Sequence, residues 1–294
     1  MGEYSEPPGY SNNYDIFSGG RPSLSPFNPT LAQTFPWSGR RRSVRFSLTK
    51  AHIHLDNIRK NYRFLNRAAI NLAMKRALAA GPGEPFPGTL SENGGWPDLV
   101  PVVKADAYGH GQNTVALALL SEGAQAFASG SIGESADLRI ALNSADVSAS
   151  RPQILSLLGF LDKEEIRIAA EYAITPVVHS FRQLDLLAKA NVPLSIAIKC
   201  NSGMSRLGFD DKDVPGVIAA LKRVRRVRPS LAVSHLASAD SEEGILEVRR
   251  QAQKFARMTS QLRREWPELA LSLANSAGAL LGEEVEELLG RHSM

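Results

Sequence analysis

The feature that most constrains the fold is a regular alternation of short apolar segments and amphipathic segments from residue 99 onward. The short segments are rich in aliphatic residues and lie at 99–103, 126–130, 153–158, 176–179, 194–198, 231–234 and 271–274. Segments with helical periodicity separate them, among them 112–122, 181–189 and 214–224. Strands that alternate with helices predict a parallel sheet with right-handed crossovers. We count about seven such units. A TIM-type (β/α)8 barrel has eight, and a doubly wound open sheet remains the alternative at this level.

The chain before these units predicts an extension, a helix and a loop. Residues 1–45 are rich in Gly, Pro, Ser and Asn and lack an apolar period, which predicts a disordered N-terminal extension. The barrel domain would then occupy residues 46–294. Within it, residues 81–97 are rich in Gly and Pro and predict a long loop.

A strand and a helix are predicted between the extension and the loop. Residues 52–55 alternate as a strand does. Asp56 is the predicted N-cap of a helix that runs to about residue 80. One face of this helix carries the apolar residues Ile58, Tyr62 and Leu65.

Charge and cysteine content limit the partners of the chain. The net charge is +4, with basic runs at 40–42 and 222–228. No interleaved aromatic residues accompany these runs, so solvated surface is the favoured interpretation and we expect no nucleic-acid partner.

The single cysteine, Cys200, excludes an intrachain disulfide. No apolar run reaches the roughly 20 residues that span a membrane, and the N-terminus has no secretory signal. We therefore expect a cytoplasmic protein without membrane contact.

The strongest local signal is the segment VVKADAYGHG at 102–111. Lys104 follows an apolar strand, and the carboxyl ends of parallel strands face the ligand site. A desolvated amine there is more readily neutral, as a Schiff base requires. The glycines after Tyr108 permit a tight turn. The competing interpretation is a lysine that extends into solvent from a strand end.

Three further segments place polar groups directly after apolar strands. KCNSGMSRLGF at 199–209 carries Lys199 and Arg206, whose charges would suit an anionic ligand at the same rim. SHLASAD at 234–240 carries His235. LANSAG at 273–278 carries Asn275 and Ser276, which could supply a hydroxyl and backbone N–H donors to a phosphate. Each segment taken alone is also typical of an ordinary strand-to-helix loop.

Taken together, the four segments resemble the alanine racemase family in composition, order and spacing, and TPVVHS at 175–180 also fits that family. The resemblance covers about residues 50–281. It implies a barrel that binds pyridoxal 5'-phosphate and an enzyme that interconverts L-alanine and D-alanine for peptidoglycan precursors. The cofactor-binding residues that it implies are Lys104, Tyr108, Arg206, His235, Asn275 and Ser276.

The resemblance also implies individual roles. Lys104 would hold the cofactor as a Schiff base and act as one of two bases on opposite faces of the substrate Cα. Tyr108 and Ser276 would reach the phosphate, and Arg206 would lie beside the phenolic oxygen. His235 would lie close to the cofactor ring. Lys199 stands where many relatives carry a carbamylated lysine that orients the arginine.

The sequence departs from the family pattern in several places. Asn201 stands where an aspartate is common, the 81–97 loop is long, and 1–45 has no counterpart. In the family, an eighth barrel strand with a cofactor-facing arginine follows, and then a β-rich domain whose tyrosine is the second base in a partner subunit. After residue 282 the sequence predicts an acidic helix at 283–289 instead.

These departures predict a barrel without its eighth strand and without the C-terminal β domain. We therefore expect low racemase activity from the chain alone, and the homodimer of the family is not expected to form readily. Two alternatives remain: a non-catalytic barrel that binds pyridoxal phosphate, and a non-functional gene fragment.

Overall fold

The computed structural model describes residues 51–80, 99–145 and 151–281. Four expectations lie outside the described residues: the N-terminal extension 1–45, the domain boundary at residue 46, the loop 81–97 and the acidic helix 283–289. The described residues from 52 onward belong to one compact unit.

The centre of this unit is a parallel sheet whose strands follow one another in chain order. Its strands are β1 (Ala126–Ser129), β2 (Gln153–Ser156), β3 (Ile174–Val178), β4 (Leu194–Lys199), β5 (Val227–Val233) and β6 (Ala270–Ser272). Every neighbouring pair is parallel. The segment 99–103 joins β1 in parallel through one bridge between Val102 and Ala128. A sequential parallel order is that of a (β/α)8 barrel, because a doubly wound sheet reverses its order. The barrel prediction is confirmed for this region and the doubly wound alternative is wrong.

Helices occupy the connections between these strands. They are α1 (Leu55–Ala80), α2 (Lys104–Gly109), α3 (Gln112–Leu120), α4 (Ile132–Asn143), α5 (Lys163–Glu171), α6 (Phe181–Ala190), α7 (Val214–Arg223), α8 (Ile245–Glu265) and α9 (Ser276–Leu280), with short 3-10 turns at Asp211–Asp213 and Glu242–Gly244. The helices predicted at 112–122, 181–189 and 214–224 are confirmed within two residues. Side-chain caps set several starts: Ser131, Asp162 and Ser180 each accept the backbone N–H three residues later. Within the described part of the chain, no helix is both long and apolar enough to cross a membrane.

The two faces of the sheet bury different sets of side chains. One face packs against the helices, so that strand residues such as Phe127 and Ile196 share a core with Leu138 and Phe255. The opposite face holds a smaller cluster, whose buried members are Ala128, Leu155, Val177, Ala197, Leu231 and Val233 and against which Val100, Leu157 and Ala270 pack. This alternation follows from the period of two along a strand. Full burial of one aliphatic side chain contributes about 1.5–3 kcal/mol, so the helix-facing core supplies most of the stabilisation.

The predicted strand at 52–55 is wrong, because helix α1 begins at Leu55 and residues 51–54 form no strand. The carbonyl of His54 accepts hydrogen bonds from the backbone N–H groups of Asn57 at 3.0 Å and Ile58 at 3.4 Å. Asp56 therefore lies in the first helical turn rather than at the N-cap. The predicted apolar face is confirmed: Tyr62 is buried, and Ile58 and Leu65 are half-buried. Helix α1 packs against α3 and α9.

Candidate active site

The residues singled out from the sequence follow different strands at the carboxyl edge of the sheet. Lys104 follows the segment 99–103, Lys199 ends β4, His235 comes two residues after β5, and Asn275 comes three residues after β6. Because all strands are parallel, their carboxyl ends meet on one side of the sheet. The fold therefore places Lys104, Lys199, His235 and Asn275 at one rim of the sheet.

The turn that carries Lys104 has an unusual backbone. Ala105, Asp106, Ala107 and Tyr108 all have positive φ, between 51° and 57°, so that α2 is left-handed inside. A left-handed conformation costs an L-residue about 1–2 kcal/mol, and strained backbone of this kind is concentrated at functional sites. The ammonium of Lys104 lies 5.8 Å from the centre of the Tyr108 ring. Lys104 and Tyr108 therefore lie on the same side of the turn.

Local hydrogen bonds close this turn onto helix α3. The Asp106 carboxylate accepts the backbone N–H of Gln112 at 2.8 Å, and so satisfies a donor at the start of α3. The His110 Nδ1 lies 2.8 Å from the Ala107 carbonyl. Gly109 and Gly111 have φ of 85° and 89°, which glycine adopts without a steric penalty. The glycines thus have the role predicted for them.

Lys199 lies at the end of β4 with its side chain largely withdrawn from solvent. The pKa of Lys199 is lowered to about 8, chiefly by burial; the neighbouring Cys200 raises it and the positive charge of Arg206 lowers it by smaller amounts. Gly208, with φ of 119°, permits this packing, since a Cβ at that position would approach Lys199 Cγ to 2.9 Å. Lys199 is consequently still mostly protonated near physiological pH, with a minor neutral fraction.

The loop that carries Arg206 is fixed by Asn201. The Asn201 side-chain amide donates to an Asp210 carboxylate oxygen at 3.0 Å, and its carbonyl accepts the Ser205 backbone N–H at 2.9 Å. Lys254 contacts the same Asp210 oxygen at 3.2 Å. An aspartate at position 201 would place a second carboxylate against Asp210. The pairing with Asp210 therefore gives a physical reason for the asparagine at this position.

His235 lies among the cations of the rim. Its pKa is lowered first by burial and then by the positive charges of three residues, Lys199, Arg206 and Lys104. After burial, these three side chains therefore act together on the imidazole. A site that gathers three cations around a partly buried imidazole favours an anionic ligand.

Asn275 and Ser276, the two polar residues after β6, have different surroundings. The Asn275 side chain accepts the backbone N–H of Gly278 at 2.9 Å and donates to the Leu236 carbonyl at 3.2 Å. Asn275 therefore caps α9 and ties it to the loop that carries His235. Ser276 is exposed in the first turn of α9, so its hydroxyl is accessible to a ligand.

Sequence reasoning did not single out Glu134, which contacts the turn that carries Lys104. Its carboxylate accepts the backbone N–H groups of Ala105 at 3.3 Å and Gly130 at 2.8 Å. The pattern Ser131-x-x-Glu134 directly after β1 is a capping-box sequence and could have indicated the residue. It could not have indicated the bond to Ala105, which joins residues 29 positions apart.

The basic run 222–228 is largely engaged within the chain. Lys222 pairs with Glu265, and Arg228 pairs with Glu268 at 2.9 Å. Arg226 donates to the Asn191 carbonyl at 3.1 Å. These contacts agree with the interpretation of the run as solvated surface.

Comparisons with known proteins agree with this geometry. A model of the family described as alanine racemase, N-terminal domain, matches residues 91–289. The alanine racemase of Nitratidesulfovibrio vulgaris is 41% identical over 184 residues, which are 62% of this chain and 47% of that protein. The catabolic alanine racemase of Salmonella typhimurium is 37% identical over 181 residues, or 61% of this chain and 46% of that protein.

Solved structures extend the similarity to the fold. Alanine racemase from Corynebacterium glutamicum has a TM-score of 0.61 at 26% identity, over 80% of this chain and 58% of that one. Alanine racemase from Bartonella henselae with covalently bound pyridoxal phosphate has a TM-score of 0.58 at 26% identity, over 79% of this chain and 56% of that one. The chain spans about half the length of the curated relatives that it matches. On the family match, the fold and the four rim segments, the chain belongs to the alanine racemase N-terminal domain family.

Proposed function

We propose that this chain is the cofactor-bearing part of a pyridoxal-phosphate-dependent alanine racemase. The observation that carries the proposal is that Lys104, Lys199 and Arg206 all act on His235, whose pKa they lower in addition to the larger effect of burial. Membership of the family and the covalently bound cofactor of the Bartonella henselae relative support it.

The chemistry of the rim fits pyridoxal phosphate. The cofactor carries a phosphate and a phenolic oxygen, both anionic, and the basic side chains Lys104, Lys199 and Arg206 lie at the rim where they act on His235. Lys104 would hold the cofactor covalently through its amine, and Tyr108 and Ser276 would bind the phosphate. Arg206 would face the phenolic oxygen and His235 the ring. Asn275, whose side chain is engaged by Gly278 and Leu236, would position Ser276.

The proton chemistry falls to Lys104. The cofactor, when bound, withdraws electrons from the substrate Cα and makes its proton easier to remove. Lys104 would take that proton on one face of Cα and return it there. Inversion needs a second base on the opposite face, and the family resemblance implies a tyrosine of a partner subunit for that role. Lys104 by itself should therefore exchange the Cα proton without inverting the carbon centre.

Lys199 would be carbamylated by carbon dioxide. A neutral amine is the reacting form, and burial lowers the pKa of Lys199 to about 8. The amine nitrogen forms a bond to the carbon of carbon dioxide and releases a proton, and the product is an anion. This anion would pair with Arg206 and reduce the excess of positive charge around His235. Carbon-13 NMR with labelled bicarbonate should give a carbamate signal that is lost in Lys199→Ala; a signal that persists in the variant would contradict the assignment.

The substrate would be alanine, and the protein would act in the cytoplasm in the supply of D-alanine for the cell wall. The names of the curated relatives support the substrate. We propose no nucleic-acid partner and no membrane contact, and the pairing of Lys222 and Arg228 with carboxylates supports the first of these.

The experiment that tests the cofactor site is borohydride reduction in the presence of pyridoxal phosphate, followed by peptide mapping. The peptide that contains Lys104 should carry the reduced cofactor, and the Lys104→Ala chain should not be labelled above background. Lys163→Ala is the matched control, because Lys163 is exposed at the start of α5 and belongs to none of the four rim segments. Equal labelling of the Lys104→Ala and Lys163→Ala chains would overturn the assignment.

A further inference from the structure

We propose that Glu134 is a positioning residue that holds the left-handed turn of Lys104 against the end of β1. Its two carboxylate oxygens accept from two backbone segments that are distant in sequence. One oxygen accepts the Gly130 N–H at 2.8 Å, and the other accepts the Ala105 N–H at 3.3 Å. Ala105 is the residue directly after Lys104. This inference rests on the proposed function, since it assigns Glu134 a part in presenting Lys104 to the cofactor.

The Gly130 end of this link is rigidly anchored. The Gly130 carbonyl accepts the backbone N–H of Leu158 at 3.0 Å and the hydroxyl of Ser156 at 3.1 Å. Ser129 and Ser135 are fully buried and share a hydrogen bond of 2.6 Å. The end of β1 is therefore fixed by strand pairing and by buried side chains. A carboxylate that is hydrogen-bonded to the end of β1 can therefore restrain the less rigid segment to which it is also bonded.

The less rigid of the two segments is the turn that carries Lys104. Four consecutive non-glycine residues of this turn have positive φ, and each would relax to an ordinary conformation without restraint. The bond from Ala105 to Glu134 acts on the first of the four. Without it, the start of the turn loses its link to the sheet, and the Lys104 amine samples a wider range of positions.

The Glu134 carboxylate lies close to the Cα of Gly130. A Cβ there would come within 2.7 Å of a Glu134 oxygen and 3.7 Å of Lys104 Cβ. Gly130→Ala would thus displace the carboxylate without removing it. This substitution gives an independent way to disturb the same link.

Glu165 provides a matched control elsewhere on the rim. It stands three residues after the N-cap Asp162 of α5, as Glu134 does after Ser131 of α4. It accepts the backbone N–H of the residue four positions earlier, Leu161, at 2.6 Å. Glu134 and Glu165 therefore share the same helix-capping contacts. They differ in the additional bond of Glu134 to Ala105.

The first test is amide hydrogen exchange of residues 105–109 in the full chain without cofactor. Glu134→Ala should accelerate exchange of the Ala105 amide by about tenfold or more, the factor expected when a hydrogen bond to a charged acceptor is lost. Glu134→Gln retains one acceptor oxygen, so its exchange rate should lie between those of the unmodified chain and Glu134→Ala. Glu165→Ala should leave this segment unchanged. Exchange in Glu134→Ala that equals exchange in Glu165→Ala would overturn the proposal.

The second test is the rate at which borohydride traps pyridoxal phosphate on Lys104. The order of rates should be unmodified chain, then Glu134→Gln, then Glu134→Ala, and Gly130→Ala should also be slow. Trapping that is equally fast in all four chains would contradict the positioning role. If the unmodified chain itself traps no cofactor on Lys104, the proposed function fails, and the exchange comparison still decides the role of Glu134.

Discussion

The lowered pKa of Lys199 makes the stability of the fold depend on pH in a defined direction. Its pKa falls from 10.5 to about 8 on folding, first through burial. Below about pH 8 both states are protonated, and the folded state bears the full cost of a buried cation. Between about pH 8 and about pH 10.5 the unfolded state binds more protons, so the free energy of unfolding should rise with pH. A lysine pKa that falls by this amount corresponds to about 3 kcal/mol at most.

The perturbation that isolates this effect is Lys199→Met, which keeps the aliphatic volume and removes the charge. Urea unfolding in buffers free of carbon dioxide should be followed for both chains from about pH 7 to about pH 10.5. Lys199→Met should be stabilised relative to the unmodified chain by up to about 3 kcal/mol at the lower pH, and this difference should fall toward a constant as pH rises. Lys163→Met, at an exposed lysine, is the control. A difference for Lys199→Met that stays constant across the range would refute the reasoning.

Three further substitutions test the packing at the site and in the helix-facing core. Gly208→Ala forces a Cβ against Lys199 and the backbone of Asn201 at a φ of 119°, and should cost about 1–3 kcal/mol in urea unfolding; no loss would show that the loop accommodates the methyl group. Asn275→Ala removes the cap of α9 and should lower the free energy of unfolding by about 1 kcal/mol. Asn275→Asp keeps an acceptor for the Gly278 N–H and should lose much less stability; equal losses in the two variants would contradict the capping role. Phe255→Ala opens the helix-facing core at a residue that is 1% exposed and should cost about 3–5 kcal/mol, against a value near zero if that core were loosely packed.

The strands and helices were largely predictable because hydrophobic periodicity determines which faces are buried. All six strands overlap their predicted segments, while the predicted strand at 99–103 is reduced to the bridge at Val102. The error at 52–55 has a simple cause. Four alternating residues are too few to distinguish a strand from the start of a helix, and the apolar face that continues through Tyr62 carries the helical signal.

The site was predictable only as a set of segments. Motif composition located Lys104, Lys199 and His235, and the parallel sheet placed them on one rim. The left-handed turn after Lys104 was not predictable, because Ala and Tyr do not favour positive φ and the restraint comes from Glu134, 29 residues from Ala105. The pKa of Lys199 likewise depends on burial, which local sequence does not encode.

The measurement that tests the central claim most directly is exchange of the Cα hydrogen of L-alanine in heavy water, catalysed by the purified chain with pyridoxal phosphate. Deuterium should be incorporated at Cα, and the incorporation should depend on Lys104. Lys163→Ala should exchange at the unmodified rate. No incorporation by the unmodified chain, or incorporation that continues unchanged in Lys104→Ala, would contradict the claim that Lys104 moves the substrate proton.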